Sequence, residues 1–485
     1  MSDRERPLGA GMWRRFAAAG AIIVLLTAAA VATVALLEVD QVRQDLAPES
    51  PGQVINGAPV AQYHGGSETF LILGSDTRAG DHVKYGNSDT MLLLRMDPDK
   101  GETTMLSIPR DLQVSIPGYC GPCKINAAYP DGGPQLALRT VQGVLGPGVL
   151  INHIVNTSFH GFREAVDALG GVYVDVDRRY FNDQGGPGGY SVINVQPGYQ
   201  RLNGSDALSF VRFRHLDTDL VRNARQQDFI RQLRDQIDAA QLFSDKDRLL
   251  RIFARATQSD ILGRSNSFYA NLLLLAAGSL GKPIRQVPFQ ATPGPSYVTA
   301  TPEQITATVH EFLYGRSKAL QSPGPGPSPA SPRALPSRRG AGLQADAGVM
   351  RQEAQTAARA AFPVYAPRLV TADSTVQSQT RDYTLADLEG RPHRAYRIVV
   401  QIGPSGDGQY WGVEGTTWKD PPIVDGPHDT EQVSGRTYEI FYDGRRIRTV
   451  ALLAPHAVYW VSNSLTRTLT NRQILGIATS LARVG

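Results

Sequence analysis

Cysteine is nearly absent, with two residues, Cys120 and Cys123, in a chain of 485, and one sign of charge barely exceeds the other, with a formal net charge of +4. So small an excess spread over so long a chain does not argue for a nucleic-acid partner, so any anion site must be built from locally clustered Arg and Lys. The histidines His153, His160 and His215 share no ligand spacing of the His-x-x-x-His kind, and loop or core places are expected for them. No serine sits in a Gly-x-Ser-x-Gly elbow, which removes the usual esterase signature. No internal repeat is evident.

What is present is length, glycine, proline and one long apolar run. At 485 residues the chain is long enough for two or three folded units, and 48 Gly with 32 Pro predict long loops or linkers. Residues 16–37 carry no charge and are long enough to cross roughly 30 Å of hydrocarbon as a helix. The run is longer than a signal-peptide core and no export cleavage site follows, so an uncleaved anchor is expected. Arg4, Arg6, Arg14 and Arg15 precede it and Glu38, Asp40 and Asp45 follow, which puts residues 1–15 in the cytoplasm and the remainder outside.

Residues 38–66 read as a polar stalk. From Thr69 the pattern changes: Thr69–Leu73, Thr90–Met96 and Thr103–Ile108 are short apolar runs between polar or glycine-containing turns, as buried strands are. Helices are expected around Leu136–Leu145, Phe162–Leu169, Ser205–Phe210 and onward from Arg222, with the Gly170-Gly171 pair as a helix stop and Val172–Val176 as a further strand. The alternation predicts an α/β domain over 67–318, a central mixed sheet sandwiched by helices. Residues 319–344, rich in Pro, Ser and Gly, read as a linker. Residues 345–485 then form a separate α+β unit, with strands at Tyr396–Gln401, Thr437–Tyr442 and Ala457–Val461 and a capped closing helix at Thr470–Leu481. Trp411, Trp418 and Trp460 are either a glycan-stacking platform or, as is commoner, core.

Four polar clusters follow the apolar runs or open helices, where α/β folds often build sites. Gly74–Arg78 and Asn87–Thr90 hold Asp76 and Asp89, two carboxylates suited to a divalent cation that also takes phosphate oxygens, or else turn residues. Ser107–Asp111 and Lys124–Tyr129 hold Arg110 and Lys124, a fork and a point charge for phosphate, with Asp111 as an alternative partner for Arg110. The fourth runs from Phe210 to Gln227 and contains Arg212, Arg214, Arg222 and Arg225: the first two alternate as on a strand, and Arg222 and Arg225–Gln226 lie a helical turn apart. Two acids and several cations fit the binding of a pyrophosphate bridged by a metal.

These clusters, in the order Leu71–Arg78, Ser88–Met91, Ser107–Asp111, Lys124–Tyr129 and Arg212–Gln226, together with the connecting Gly161–Val172, resemble the LytR-CpsA-Psr family over roughly residues 67–245. The resemblance implies a magnesium-dependent phosphotransferase that moves a glycopolymer from a polyprenyl-pyrophosphate carrier to a peptidoglycan hydroxyl. It makes Asp76 and Asp89 the Mg2+ acids and Arg110, Lys124, Arg212, Arg214, Arg222 and Gln226 the pyrophosphate contacts. Asp219 is implied as a nearby acid, and Arg78 and Arg225 as supporting residues. The unit after the linker does not resemble the small domain often appended in that family. A non-catalytic lipid- or wall-binding protein and a simple pyrophosphate-lipid phosphatase stay open as alternatives.

Cys120-Gly-Pro-Cys123 matches a thioredoxin tetrapeptide but sits between Pro117-Gly118 and Lys124-Ile-Asn, in a loop of another fold. Outside the membrane a short disulfide is expected, one that stiffens the loop presenting Lys124.

Overall fold

The computed structural model describes residues 39–484 apart from 49–52, 59, 62–65, 76–85, 87, 185–191, 214–216, 218, 237–245, 280–283, 316–341, 347, 358–361 and 404–408. The apolar run at 16–37 therefore lies outside the described residues, among which no helix is long and apolar enough to cross a membrane.

The three apolar runs become β1 (Glu68–Ser75), β2 (Ser88–Asp97) and β3 (Glu102–Ser107). A hairpin of β4 (Gln113–Ile116) and β5 (Cys120–Lys124) leads into α1 (Ala128–Leu145), then β6 (His153–Ser158), α2 (Phe159–Ala168) and β7 (Val172–Val176). The chain continues through β8 (Tyr180–Asn182), β9 (Ile193–Val195), β10 (Gly198–Leu202), α3 (Gly204–Arg212), α4 (Asp219–Asp235) and α5 (Lys246–Ala256). It closes with β11 (Thr257–Ser259), α6 (Asn266–Ser279), β12 (Ile284–Val287) and α7 (Pro302–Tyr314).

The main sheet has the order β11-β6-β1-β2-β3-β12. It is mixed, since β1 runs parallel to β6 and β3 to β12 while the other pairs are antiparallel. Leu71, Leu73, Leu93 and Leu106 on its central strands are fully buried with Leu136, Val141 and Phe312 from α1 and α7, so one face of the sheet is sealed by helices. The Gly170-Gly171 stop is built as expected: both residues take positive φ, a conformation that side chains disfavour.

Two expectations are corrected. The stretch read as a stalk is partly packed: residues 39–45 form a short helix whose Val42, with Leu46 just beyond it, is buried beside Phe70, Ile261 and Tyr269. An apolar pair four residues apart in an otherwise polar segment is enough to dock it. The unit after the linker has a core of its own but does not stand apart from the first. Its antiparallel sheet, which includes Pro392–Ile402, Tyr410–Thr416, Arg446–Ala454 and Ala457–Ser462, buries both faces. Alternate residues such as Tyr396, Ile398, Tyr459 and Val461 face the helices Val349–Ala357 and Asn471–Thr479. The intervening Ala395, Val458 and Trp460 share a cluster with Tyr173 of β7 and Tyr199 of β10. Trp411, Trp418 and Trp460 are all buried and serve as core. Long-range charge pairs complete the junction: Arg397 donates to Asp175 at 2.7 Å, and the Ser462 hydroxyl donates to the same carboxylate.

Candidate functional site

Strand direction brings the polar clusters to one end of the main sheet. Ser75, the last residue of β1, lies level with Ser88, which opens β2, and with Ser158, which ends β6. Ser107, the last residue of β3, is level with Leu92, and the Ile108 amide then donates to the Met91 carbonyl at 2.9 Å, so the chain leaves β3 toward that same end. The ladder between β1 and β2 is irregular at Gly74/Ser75, a bulge at the point where the polar residues begin. Asp89 occupies the second position of β2, beside this irregularity. Asp76, Arg78 and Arg214 lie outside the described residues; for Asp89 and for Asp219, the first residue of α4, only the backbone is described.

The loop after β3 and the end of the β4–β5 hairpin meet. Asp111 is held by Lys124 Nζ at 2.8 Å and stands 3.7 Å from Arg110 Nε, so one carboxylate ties both cations into a single cluster. The Lys124 ammonium also lies 5.9 Å from the centre of the Tyr297 ring. Backbone bonds fix the loops, with the Asn126 amide donating to Arg110 and Ile125 to Leu112. Lys124 keeps 40 % of its side chain exposed, which leaves it accessible to an incoming anion. Cys120 and Cys123 are joined within β5, the strand that ends in Lys124.

Arg212 is helical where an extended stretch was expected. Arg212 is the last residue of α3, a helix that Asn203 starts by accepting a bond from the Asp206 amide. Its guanidinium lies 3.8 Å from the centre of the Phe159 ring, next to the end of β6. Helix α4 packs across the same end, its Gln227 donating to Ser107 Oγ at 2.8 Å. Arg222 is buried, and Gln226 donates to the Val211 carbonyl at 3.3 Å, binding the end of α3 to α4.

Arg225 has a place other than the substrate-binding one. It is fully buried and donates to Tyr180 Oη at 3.2 Å, to the Phe210 and Phe213 carbonyls at 3.0 and 2.8 Å, and to Asp217. Every face of its guanidinium is taken by protein, so it braces the segment between α3 and α4 instead of meeting a ligand. The sequence reading missed the partners in this network. Asp217 also accepts from Arg178 at 2.5 Å, and Tyr180 donates to Asp177 at 2.5 Å. Burial pushes the Asp177 carboxyl above its ordinary value despite the neighbouring arginines, and pushes the Tyr180 hydroxyl up as well. The signal was a run of charge, Asp177-Arg-Arg, directly after the strand Val172–Val176, where a solvated turn would ordinarily be read.

His153 is a core histidine, as the absence of ligand spacing implied. It lies between Glu68 at 2.8 Å and Asp260 at 3.1 Å. Although burial opposes its charge, bonds to both carboxylates push its pKa up to about 9. Among the described residues no group of three or more His, Cys, Asp and Glu side chains is arranged to hold a metal ion.

The fold is thus a mixed α/β sheet with basic and acidic loops gathered at one end. The LytR_cpsA_psr family model matches residues 36–307, more than half of the chain, and the protein belongs to that family. The chain is 36% identical over 200 residues to a protein of Oceanobacillus iheyensis named polyisoprenyl-teichoic acid–peptidoglycan teichoic acid transferase TagU, covering 40% of this chain and 58% of that one. To the TagT transferase of the same description from Bacillus subtilis it is 32% identical over 181 residues, 36% of this chain and 55% of that one. The chain thus spans about half the length of the curated relatives it matches. The crystal structure of B. subtilis TagV aligns with a TM-score of 0.42 at 25% identity, covering 51% of this chain and 97% of that one.

Proposed function

We propose that this protein is an extracytoplasmic phosphotransferase, anchored by residues 16–37, that transfers a glycopolymer from a polyprenyl-pyrophosphate carrier to a hydroxyl of peptidoglycan. Membership of the family supports the reading, as do the names of relatives that act on teichoic acid carried by a polyisoprenyl lipid. The observation that carries it is the convergence at one end of the main sheet of the Arg110–Asp111–Lys124 cluster, Arg212 and helix α4 with Arg222. A pyrophosphate needs several positive groups held around it before it arrives, because a preorganised site pays no reorganisation when charge develops on the leaving oxygen.

In the step proposed, the acceptor hydroxyl oxygen forms a bond to the glycan-side phosphorus. The bond from that phosphorus to the bridging oxygen breaks, and its electron pair leaves with polyprenyl phosphate. The hydroxyl proton passes to a carboxylate, for which Asp89, beside the bulge of β1 and β2, is the candidate. Arg110, Lys124 and Arg222 would hold the pyrophosphate oxygens and orient the phosphorus for in-line attack. Arg212, Arg214 and Gln226 would complete the cradle, with Arg78 and Asp219 at its margin. Asp76 and Asp89 are proposed to hold Mg2+: each follows a serine, and those two serines, Ser75 and Ser88, are paired across β1 and β2. Such a cation neutralises charge on phosphate oxygens when bound.

The test supplies the purified full chain in detergent with a polyprenyl-pyrophosphoryl glycan and a peptidoglycan fragment. Release of polyprenyl phosphate that requires the acceptor and magnesium, and that is lost in an Asp76→Ala, Asp89→Ala double variant, is expected. Release without acceptor would identify a phosphatase instead, and binding of the lipid with no product would identify a carrier.

A further inference from the structure

The unit after the linker grips the arginine helix at both of its ends. Along the C-terminal half of α4, Asp228 pairs with Arg231 and accepts from Arg467 at 3.0 Å, while Asp443 accepts from Arg231 at 2.8 Å and from Arg467 at 3.2 Å. Two acids and two arginines, one of each from either unit, thus alternate in a ring of buried side chains. The three arginines Arg231, Arg467 and Arg448 hold the Asp443 carboxyl below its ordinary value against the effect of burial. Arg467 is itself set in the left-handed region at φ 58°, in a turn whose Ser464 and Leu465 carbonyls accept from its guanidinium at 2.8 and 3.2 Å. A residue without glycine's freedom stays in that conformation only where its surroundings over-determine it.

The second grip lies before α4. The Arg178 guanidinium is 5.1 Å from the ring centre of Tyr410, which belongs to the later unit, and 4.8 Å from that of Tyr180. Arg178 in turn holds Asp217, which holds Arg225. The helix that carries Arg222 is therefore fixed at its start through Tyr410 and along its length through Arg467.

We propose that Arg467 and Tyr410 are positioning residues for the transfer reaction: the unit after the linker is a clamp that sets where α4 places Arg222 at the end of the main sheet. The inference rests on the reading given under Proposed function. Neither residue lies at the site, so each acts through α4. A displacement of about 1 Å in a group that orients the reacting phosphate costs on the order of a hundredfold in rate, so a slackened clamp lowers turnover more than it lowers affinity for the lipid.

The test uses the full chain with two independent variants, Arg467→Gln and Tyr410→Leu, each close in size to the native residue. Steady-state transfer kinetics are measured with Arg467→Lys as the conservative control. Expected are a fall in kcat of at least about tenfold in both variants with KM for the lipid changed by less than about threefold, and partial recovery with lysine. If Arg467→Gln does not yield folded protein, Tyr410→Leu decides alone. Folded variants with kcat within about twofold of the native value overturn the clamp. A native protein that transfers nothing overturns the functional reading instead, so the two failures are distinct.

Discussion

His153 provides the sharpest quantitative expectation. Its imidazole is buried with Glu68 on one nitrogen and Asp260 on the other, and Asp260 also accepts from the Ile154 amide at 2.7 Å and from Arg264 at 3.3 Å. The histidine pKa rises from 6.5 to about 9 in the fold. A raised pKa means that the folded state holds the proton more tightly than the unfolded chain. The resulting stability is fully present below pH 6.5 and is lost as the pH climbs through about 9. At about 1.4 kcal/mol for each pH unit between the two values, the loss is about 3–4 kcal/mol. Urea unfolding of the full chain at intervals from pH 6 to 10, followed by intrinsic fluorescence, reads it. A His153→Gln variant keeps hydrogen-bonding capacity but cannot titrate, so its stability is expected to change with pH less steeply than that of the native protein over this window. Parallel curves for the two proteins would refute the assignment of charge to His153.

Other expectations follow from single contacts. Asp217→Asn leaves Arg178 and Arg225 buried without their shared counter-charge, and a loss of about 3–5 kcal/mol is expected in denaturant unfolding, because a buried charge keeps its desolvation cost when its partner goes. Gly161 packs so closely on α5 that an added Cβ would stand 2.1 Å from the Ala256 carbonyl oxygen, so Gly161→Ala is expected to lower the melting temperature by forcing α2 off that contact, at a cost of about 1–3 kcal/mol. Glu414, pushed by burial to about 8 and bonded to Tyr383, should make the native protein less stable as the pH rises from 4.5 toward 8; Glu414→Gln is expected to flatten that part of a urea-stability curve measured from about pH 4 to 8.

Much of this fold was legible because local pattern and tertiary outcome agree. Strands β1, β2 and β3 fall on the apolar runs that begin at Thr69, Thr90 and Thr103, and Val172–Val176 is a strand with the bounds expected. The closing helix carries the capping box that Thr470 and Gln473 announce. What failed were inferences about charge. Arg212 and Arg214 were read as an alternating strand, yet Asn203 starts a helix that carries through Arg212. Arg225 looked like any other member of a basic cradle, and only the fold supplies Tyr180, Asp217 and two carbonyls to surround it. The proline-rich linker implied independence of the two units, but Asp175, Arg397, Asp228 and Arg467, scattered over hundreds of positions, bind them together. Pairing of charges that far apart leaves no period in a sequence.

The central claim is that the end of the main sheet holds a lipid pyrophosphate. A crystal structure of the protein with an isoprenoid pyrophosphate tests it most directly. The account predicts phosphate oxygens within hydrogen-bonding distance of Arg110, Lys124 and Arg222, with Asp76 and Asp89, the acids proposed to hold magnesium, on the same side. A pyrophosphate bound elsewhere, with those three side chains turned to other partners, would contradict it.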